Sequence, residues 1–453
     1  MNTNDRSFSR TSLEDLCAEL QKNTTIDASR NKTEIKRGLR NADGSGVMAG
    51  LTKICNVHGY VMNEGEKMPV PGRLIYRGID IYDLVEGCQK EGRFGFEETV
   101  WLLLFGKLPT AEQLLGFQEL LSSYRDLPEY FAEDTILKAP SPNIMNKMAR
   151  AVMTLYSYDD TPDDTSMENT LQQSIQLIAS VPTIMTYAYQ VKRRYYDNDS
   201  MVFHPFKDGL STSESILYSL RDDSSYTREE ALLLDLCLML HAEHGGGNNS
   251  TFTTRVLSSS GTDIYSAIGA AIGSLKGPRH GGANAKVTEM QNAVKQNVRD
   301  WEDEEEVAAF LRKLARKEAG DGSGLIYGMG HAVYTMSDPR AVLLKKTAYP
   351  LAEKQGFGPE FRLLELIEKL SPAILAEERG IDKALCANVD MYSGLVYRAL
   401  RIPPELFTPI FAVARMAGWC AHRMEELYTC RRIIRPAYKS VMPDQPYIPL
   451  DNR

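Results

Sequence analysis

Apolar residues recur along most of this chain with the period of an α-helix. Leu13, Leu16, Cys17 and Leu20 stand at i, i+3, i+4 and i+7, one face of a helix entered at Ser12. The stretch 96–105 predicts a second helix, closed by Gly106 and Pro109. Thr110 with Gln113 then predicts a capping box for a third, running through Leu120. Further on, acidic residues 302–306 fill a first turn, and Val307, Phe310, Leu311 and Leu314 make an apolar stripe. Arg316 and Lys317 follow in the last turn, and Gly320 ends it. Those charges oppose the helix dipole at both ends, so the acidic run reads as a solvated helix start. Strand signals are few. Residues 58–62 and 73–81 flank a polar segment with Pro69, Pro71 and Gly72 and predict a small hairpin. Polar stretches at 22–46, 157–168 and 193–227 predict loops. The expected class is mainly α.

Composition narrows the field. The 453 residues leave room for about two to four domains' worth of mass. Hydrophobic and charged fractions of 43% and 25% are globular and exclude wholesale disorder. A net charge of −8 with no Lys/Arg-rich block argues against a nucleic-acid coat. The longest apolar runs, such as 231–240 broken by Asp235, fall short of the ~18 residues a membrane helix needs. Seven scattered cysteines (17, 55, 88, 237, 386, 420, 430) without a C-x-x-C pair suit reduced thiols. With Asp5, Glu14, Asp15 and Glu19 near the start and no signal-like block, a cytoplasmic protein is expected.

Histidine is scarce, and four of the seven lie between 241 and 331. His280 stands in Gly-Pro-Arg-His-Gly-Gly-Ala-Asn (277–284) and His331 in Gly-Met-Gly-His-Ala (328–332). Flanking glycines let a backbone approach a ligand closely, and a neutral imidazole there can donate to a carbonyl oxygen that is gaining charge. Each is equally readable as a histidine capping a turn. His241 and His244, at i and i+3, are expected on one helical face before Gly245. The order His-Ala-Glu-His is not His-Glu-x-x-His and no third ligand is evident, so no metal is expected. Arg415 lies in an otherwise apolar helix, 411–419, with no carboxylate at i±3 or i±4. Its charge needs an anion from elsewhere: a tertiary salt bridge or a substrate carboxylate. Asp390 reads either as the N-cap of a helix 391–400 or as a general base whose pKa an apolar pocket would raise.

Together these segments resemble the citrate synthase family. The matching blocks are residues 240–285, Gly328–His331 with Asp338-Pro339-Arg340, Asn388-Val389-Asp390, Tyr76–Ile79 with Leu84, 96–110 and Arg432–Pro436. They run in the family's order over about 50–440. The resemblance implies an all-α homodimer with a large domain (1–281 and 397–453), a smaller inserted domain (282–396) and an active site in the cleft between them. It implies condensation of acetyl-CoA with oxaloacetate and hydrolysis of the citryl thioester, without metal or redox cofactor. By the same resemblance Asp390 would be the base, His280 would stabilise the enolate and His331 would polarise the ketone. His244, Arg340 and Arg415 would hold carboxylates, with Arg435 supplied by the other subunit. Thr335 and Ala437-Tyr438-Lys439 stand where many relatives carry basic residues, so contacts to the CoA phosphates should differ. Rival readings are a 2-methylcitrate synthase using propionyl-CoA, a non-catalytic acyl-CoA-binding paralogue and a metal hydrolase built on His241 and His244.

Overall fold

The computed structural model describes residues 36–41, 45–63, 66–205, 207–381, 384–430 and 432–452. The amphipathic segment at Ser12–Leu20 lies outside them. Residues Leu51–Ile434 form one unit; Met1–Gly50 with Arg435–Arg453 form a second, whose described residues are mostly exposed.

Within Leu51–Ile434 the architecture is mainly helical, and local chemistry sets most helix ends. Phe96–Phe105 stops where Gly106 adopts a left-handed conformation (φ 79°). Ala111–Ser123 starts at the reciprocal Thr110/Gln113 capping box, which is worth about 1 kcal/mol. The acidic helix is Glu304–Ala315, shorter than its charge pattern predicts. The Lys317 N–H donates to Leu314 O and the Glu318 N–H to Lys313 O, with Lys317 left-handed at φ 68°. That is a Schellman ending in which a lysine takes the position glycine usually fills, three residues before Gly320. The polar stretch 193–227 is not all loop either. Met167–Tyr196 runs into it, and Thr212–Leu220 forms a helix inside it from a Ser211/Glu214 capping box.

The hairpin is larger than predicted. β1 (Cys55–Asn63) pairs antiparallel with β2 (Glu66–Tyr76), and a short β3 (Ile79–Asp80) pairs only with Ile75 and Tyr76. Pro69 and Pro71 therefore sit in a strand with its outer edge free of β3, where a missing N–H is tolerated. A register shift between His58 and Tyr60 absorbs the irregularity.

The helix Phe407–Thr429 is the buried axis of the unit and packs against Met167–Tyr196, Arg228–His241, Asn249–Ser258 and Ile264–Lys276. The helices Ala283–Asn297, Glu304–Ala315, Pro339–Lys354, Gly358–Arg379 and Asp390–Ala399 pack on one another. Among the described residues no helix is long and apolar enough to cross a membrane, and all six described cysteines are free.

Candidate active site

Three polar segments and the axial helix converge on one cavity of ≈ 300 Å³, whose walls include His244, His280, His331, Arg340, Asp390 and Arg415. Arg435 belongs to the other unit, where it is exposed.

The helix Arg228–His241 ends before His244, so the expected pair of histidines on one helical face does not form. His241 packs its ring on Phe411 at 4.3 Å between centroids. His244 lies in the following turn and meets His331 edge-on at 5.0 Å, and its Nε2 has no hydrogen-bond partner among the described residues. Burial, with Arg340 and Arg415 nearby, holds both imidazoles well below the usual histidine pKa. Neutral rings follow.

His331 is oriented by its own loop. Its Nδ1 accepts the Val333 and Tyr334 backbone N–H groups at 3.0 and 3.1 Å, which leaves the proton on Nε2. Tyr334 stacks on it at 4.6 Å. His280 is fixed from the opposite nitrogen. Its Nε2 accepts the Ser250 N–H at 3.3 Å, and the Ser250 hydroxyl lies 3.0 Å away, itself held by Trp419 Nε1 at 3.2 Å. The free N–H of His280 is then on Nδ1. Burial, reinforced by Arg415 for His280 and by Arg340 for His331, pushes each pKa down to about 4. Both rings are neutral donors at pH 7.

Asp390 begins the helix Asp390–Ala399, and its side chain makes no capping bond. The N-cap reading is therefore wrong: the helix starts one residue earlier than expected, and Asn388 Oδ1 accepts the Asp390 N–H at 3.1 Å. The carboxylate is left uncommitted. Burial raises its pKa to about 6, with Asp338 adding to the shift and Arg340 and Arg415 opposing it. Asn388 has a second task. Its Nδ2 donates to Gly330 O at 2.9 Å, while its backbone N–H donates to Gly328 O at 2.8 Å. Gly328 and Gly330 adopt φ of 84° and 88°, open chiefly to glycine, and this bent strip ties the His331 loop to the turn before Asp390.

Arg415 has no ion-pair partner among the described residues, so the tertiary salt bridge does not exist. Its Nε donates to His241 O at 2.7 Å, the guanidinium lies 4.7 Å over the Phe411 ring, and Nη1 and Nη2 make no hydrogen bond. The side chain is wholly buried. Arg340 differs: Nε and Nη2 grip Asp338 at 3.0 and 2.7 Å, and that carboxylate outweighs burial and raises its pKa. A cavity with an open buried guanidinium, neutral imidazole donors and a carboxylate of raised basicity suits an anionic carbonyl substrate and proton removal from carbon.

Comparison with known proteins decides the family. A family model for citrate synthase, C-terminal domain, matches residues 41–437. Citrate synthase of Haloferax volcanii is 34% identical over 430 residues, covering 93% of this chain and 99% of that protein. The chain belongs to the citrate synthase family. A 2-methylcitrate synthase of Shewanella oneidensis is 33% identical over 383 residues, 84% of this chain and 92% of its own length. Among solved structures, Thermoplasma acidophilum citrate synthase in ternary complex with carboxymethyl coenzyme A and oxaloacetate superposes with a TM-score of 0.73 at 25% identity, over 92% of this chain and 99% of that one. Membership makes the protein an acyl-transferring enzyme.

Other members of the cavity wall escaped the sequence reading. Arg279, Asn248 and Asn284 line it. Arg279 is exposed and makes no ion pair among the described residues. Its signal was present, a cation beside His280 in a glycine-flanked loop. Tyr334 had none, because only the folded chain brings it against His331 and His244.

Proposed function

We propose that this citrate synthase family member condenses acetyl-CoA with oxaloacetate and hydrolyses the citryl thioester, at the entry to the tricarboxylic acid cycle. Asp390 takes a proton from the acetyl methyl group while His280 Nδ1–H donates to the thioester oxygen, so the enolate forms without a free carbanion. Its carbon attacks the ketone of oxaloacetate as His331 Nε2–H donates to the ketone oxygen. Water then cleaves the thioester, releasing CoA. Arg415, Arg340 and His244 hold the carboxylates, and Arg435 reaches in from the other subunit of a homodimer. Residues 282–396 act as the smaller domain that closes over bound substrate. The reaction needs no cofactor, and the enzyme works in the cytoplasm.

The observation that carries this reading is Arg415, a wholly buried guanidinium open at both terminal nitrogens in the same cavity as Asp390. An unpaired buried charge is costly unless a ligand completes it. The Shewanella relative supports a second reading, propionyl-CoA as acyl donor. One methylene in an apolar pocket is worth only about 1–3 kcal/mol, so both share one site chemistry. Thiol release from acetyl-CoA and propionyl-CoA, with and without oxaloacetate, tests both. Oxaloacetate-dependent release, faster with acetyl-CoA, is expected. Faster release with propionyl-CoA establishes the second reading, and release indifferent to oxaloacetate overturns both.

A further inference from the structure

Behind the cavity lies a buried carboxylate that the reaction above does not use. Glu243 is fully buried, between His241 and His244 in sequence. Its Oε1 accepts the Gly245 N–H at 2.5 Å and faces His422 Nε2 at 3.1 Å, while Oε2 has no hydrogen-bond partner among the described residues. The Gly245 bond closes the turn that carries His244, and Gly245 holds a φ of 88° to allow it. The His422 contact reaches the helix Phe407–Thr429, which carries Arg415 two turns earlier.

The two segments touch at a third point. The Gly418 N–H donates to Ala242 O at 3.2 Å, and a Cβ on Gly418 would stand 2.0 Å from Glu243 Oε2 and 2.6 Å from Ala242 O. Gly418 follows Arg415 by one turn on the face that passes the 241–246 segment, so glycine there admits the Glu243 side chain. On the far side the Tyr76 hydroxyl lies 3.0 Å from Glu243 O and accepts the Glu243 N–H at 3.3 Å. Glu243 is thus held at its backbone by β2 and spends its side chain on the two elements that present His244 and Arg415.

We propose that Glu243 is a positioning residue of the carboxylate subsite: it fixes His244 and Arg415 relative to each other without touching substrate. The proposal rests on the reading of this cavity as the oxaloacetate site. Arg415 has a single hydrogen bond of its own, to His241 O, and His244 Nε2 has none, so neither side chain is oriented by many contacts. Glu243 supplies the missing constraint by clamping the backbones they hang from. Its charge also offsets part of the positive charge of Arg415 while the cavity is empty.

Glu243→Ala, Glu243→Asp and Glu243→Gln in the full chain separate this role from a stabilising one. Glu243→Asp keeps the charge but shortens the reach, and Glu243→Gln keeps the reach and an acceptor for Gly245. The Ala and Asp variants should raise the KM for oxaloacetate by about 10- to 100-fold, as sub-ångström misplacement does, and leave the KM for acyl-CoA within about 2-fold. Glu243→Gln should recover oxaloacetate affinity to within about 3-fold of wild type, since geometry is retained. Should the Ala variant not fold, the Asp and Gln pair decides alone. Unchanged oxaloacetate KM in Glu243→Asp, or equal rises in both KM values, overturns the positioning role. A wild-type enzyme that needs no oxaloacetate would instead refute the site assignment itself.

Discussion

Two buried arginines in this fold are wired in opposite ways. Arg221 closes its fork on Glu230, with Nη1 and Nη2 donating to the two carboxylate oxygens at 3.0 and 2.8 Å, and spends its remaining contacts on Ser225 O and Leu400 O. Arg415 is at least as buried and has one carbonyl contact on Nε. Both charges had to be taken out of water, at a cost that only good partners offset. In Arg221 the chain supplies the partners. In Arg415 it does not, although Glu243 is near enough to oppose the fall in its pKa. On the proposed reading, a cation left open at this depth is completed by a substrate carboxylate.

The comparison breaks most readily at these two residues. Removing one member of a buried ion pair costs about 3–5 kcal/mol, so Arg221→Ala should lower the melting temperature sharply while the surviving folded enzyme keeps its Michaelis constants. Arg415→Ala should do the reverse. Losing a charged contact to a substrate carboxylate costs about 2–5 kcal/mol in binding, a rise of roughly 30- to several-thousand-fold in the KM for oxaloacetate, with acyl-CoA little affected. Thermal melts and steady-state kinetics on both variants check this. Similar phenotypes for the two would mean that Arg415 is structural after all.

Asp390 extends the contrast to anions, since Glu230 is spent on Arg221 and Asp390 on nothing. Asp390→Asn should leave the melting temperature near wild type, because the side chain caps nothing. Turnover should fall by about 100-fold or more, the usual share of a general base. In the wild type, kcat should decline as pH falls through about 6, where Asp390 takes its proton, while His280 and His331, with pKa about 4, stay neutral. Stability follows its own course. Below pH 6.5 the unfolded chain protonates histidines that the folded chain keeps neutral down to about 4, so stability rises with pH across that window. Asp390 opposes this, because the folded state holds its proton from 3.8 up to about 6. Asp235, whose pKa burial also raises, opposes it in the same sense, and four depressed histidines against these two raised carboxylates make a rising melting temperature the expected result. A flat turnover profile near pH 6 would remove Asp390 as the base.

What was legible in the sequence was local. Capping at Thr110, the Gly106 stop and the glycine-flanked histidines depend on neighbours within a few positions, and the structure has them where the pattern puts them. Six of the seven predicted site residues line one cavity for a related reason, since each sits in a short distinctive segment. The misses are tertiary or conformational. Thr212–Leu220 hides in a polar stretch although its Ser211/Glu214 box was readable. The acidic helix stops at a left-handed lysine, which no composition rule anticipates. Asn388, Tyr334 and Glu243 each join a near neighbour to a partner distant in sequence, Gly330, His244 and His422 respectively, and nothing beside them marks that second contact.

A third arginine sharpens the contrast at its weak end. Arg279 lines the same cavity beside His280, but it is exposed and unpaired among the described residues. Water already solvates its charge, so an anion that meets it gains only what an exposed ion pair gives, about 0.2–1 kcal/mol. On the proposed reading, Arg279 is a cation available to the phosphates of the acyl carrier. Arg279→Leu should therefore raise the KM for acetyl-CoA by only about 2- to 5-fold, leave that for oxaloacetate unchanged and preserve the melting temperature. The difference from wild type should shrink as salt is raised, because screening acts strongly on exposed charges and weakly on buried ones. The oxaloacetate defect of Arg415→Ala should persist at the same salt. If the Arg279 effect is large and salt-insensitive, the residue is drawn into a desolvated contact when substrate binds, and exposure in the empty enzyme is a poor guide to its role.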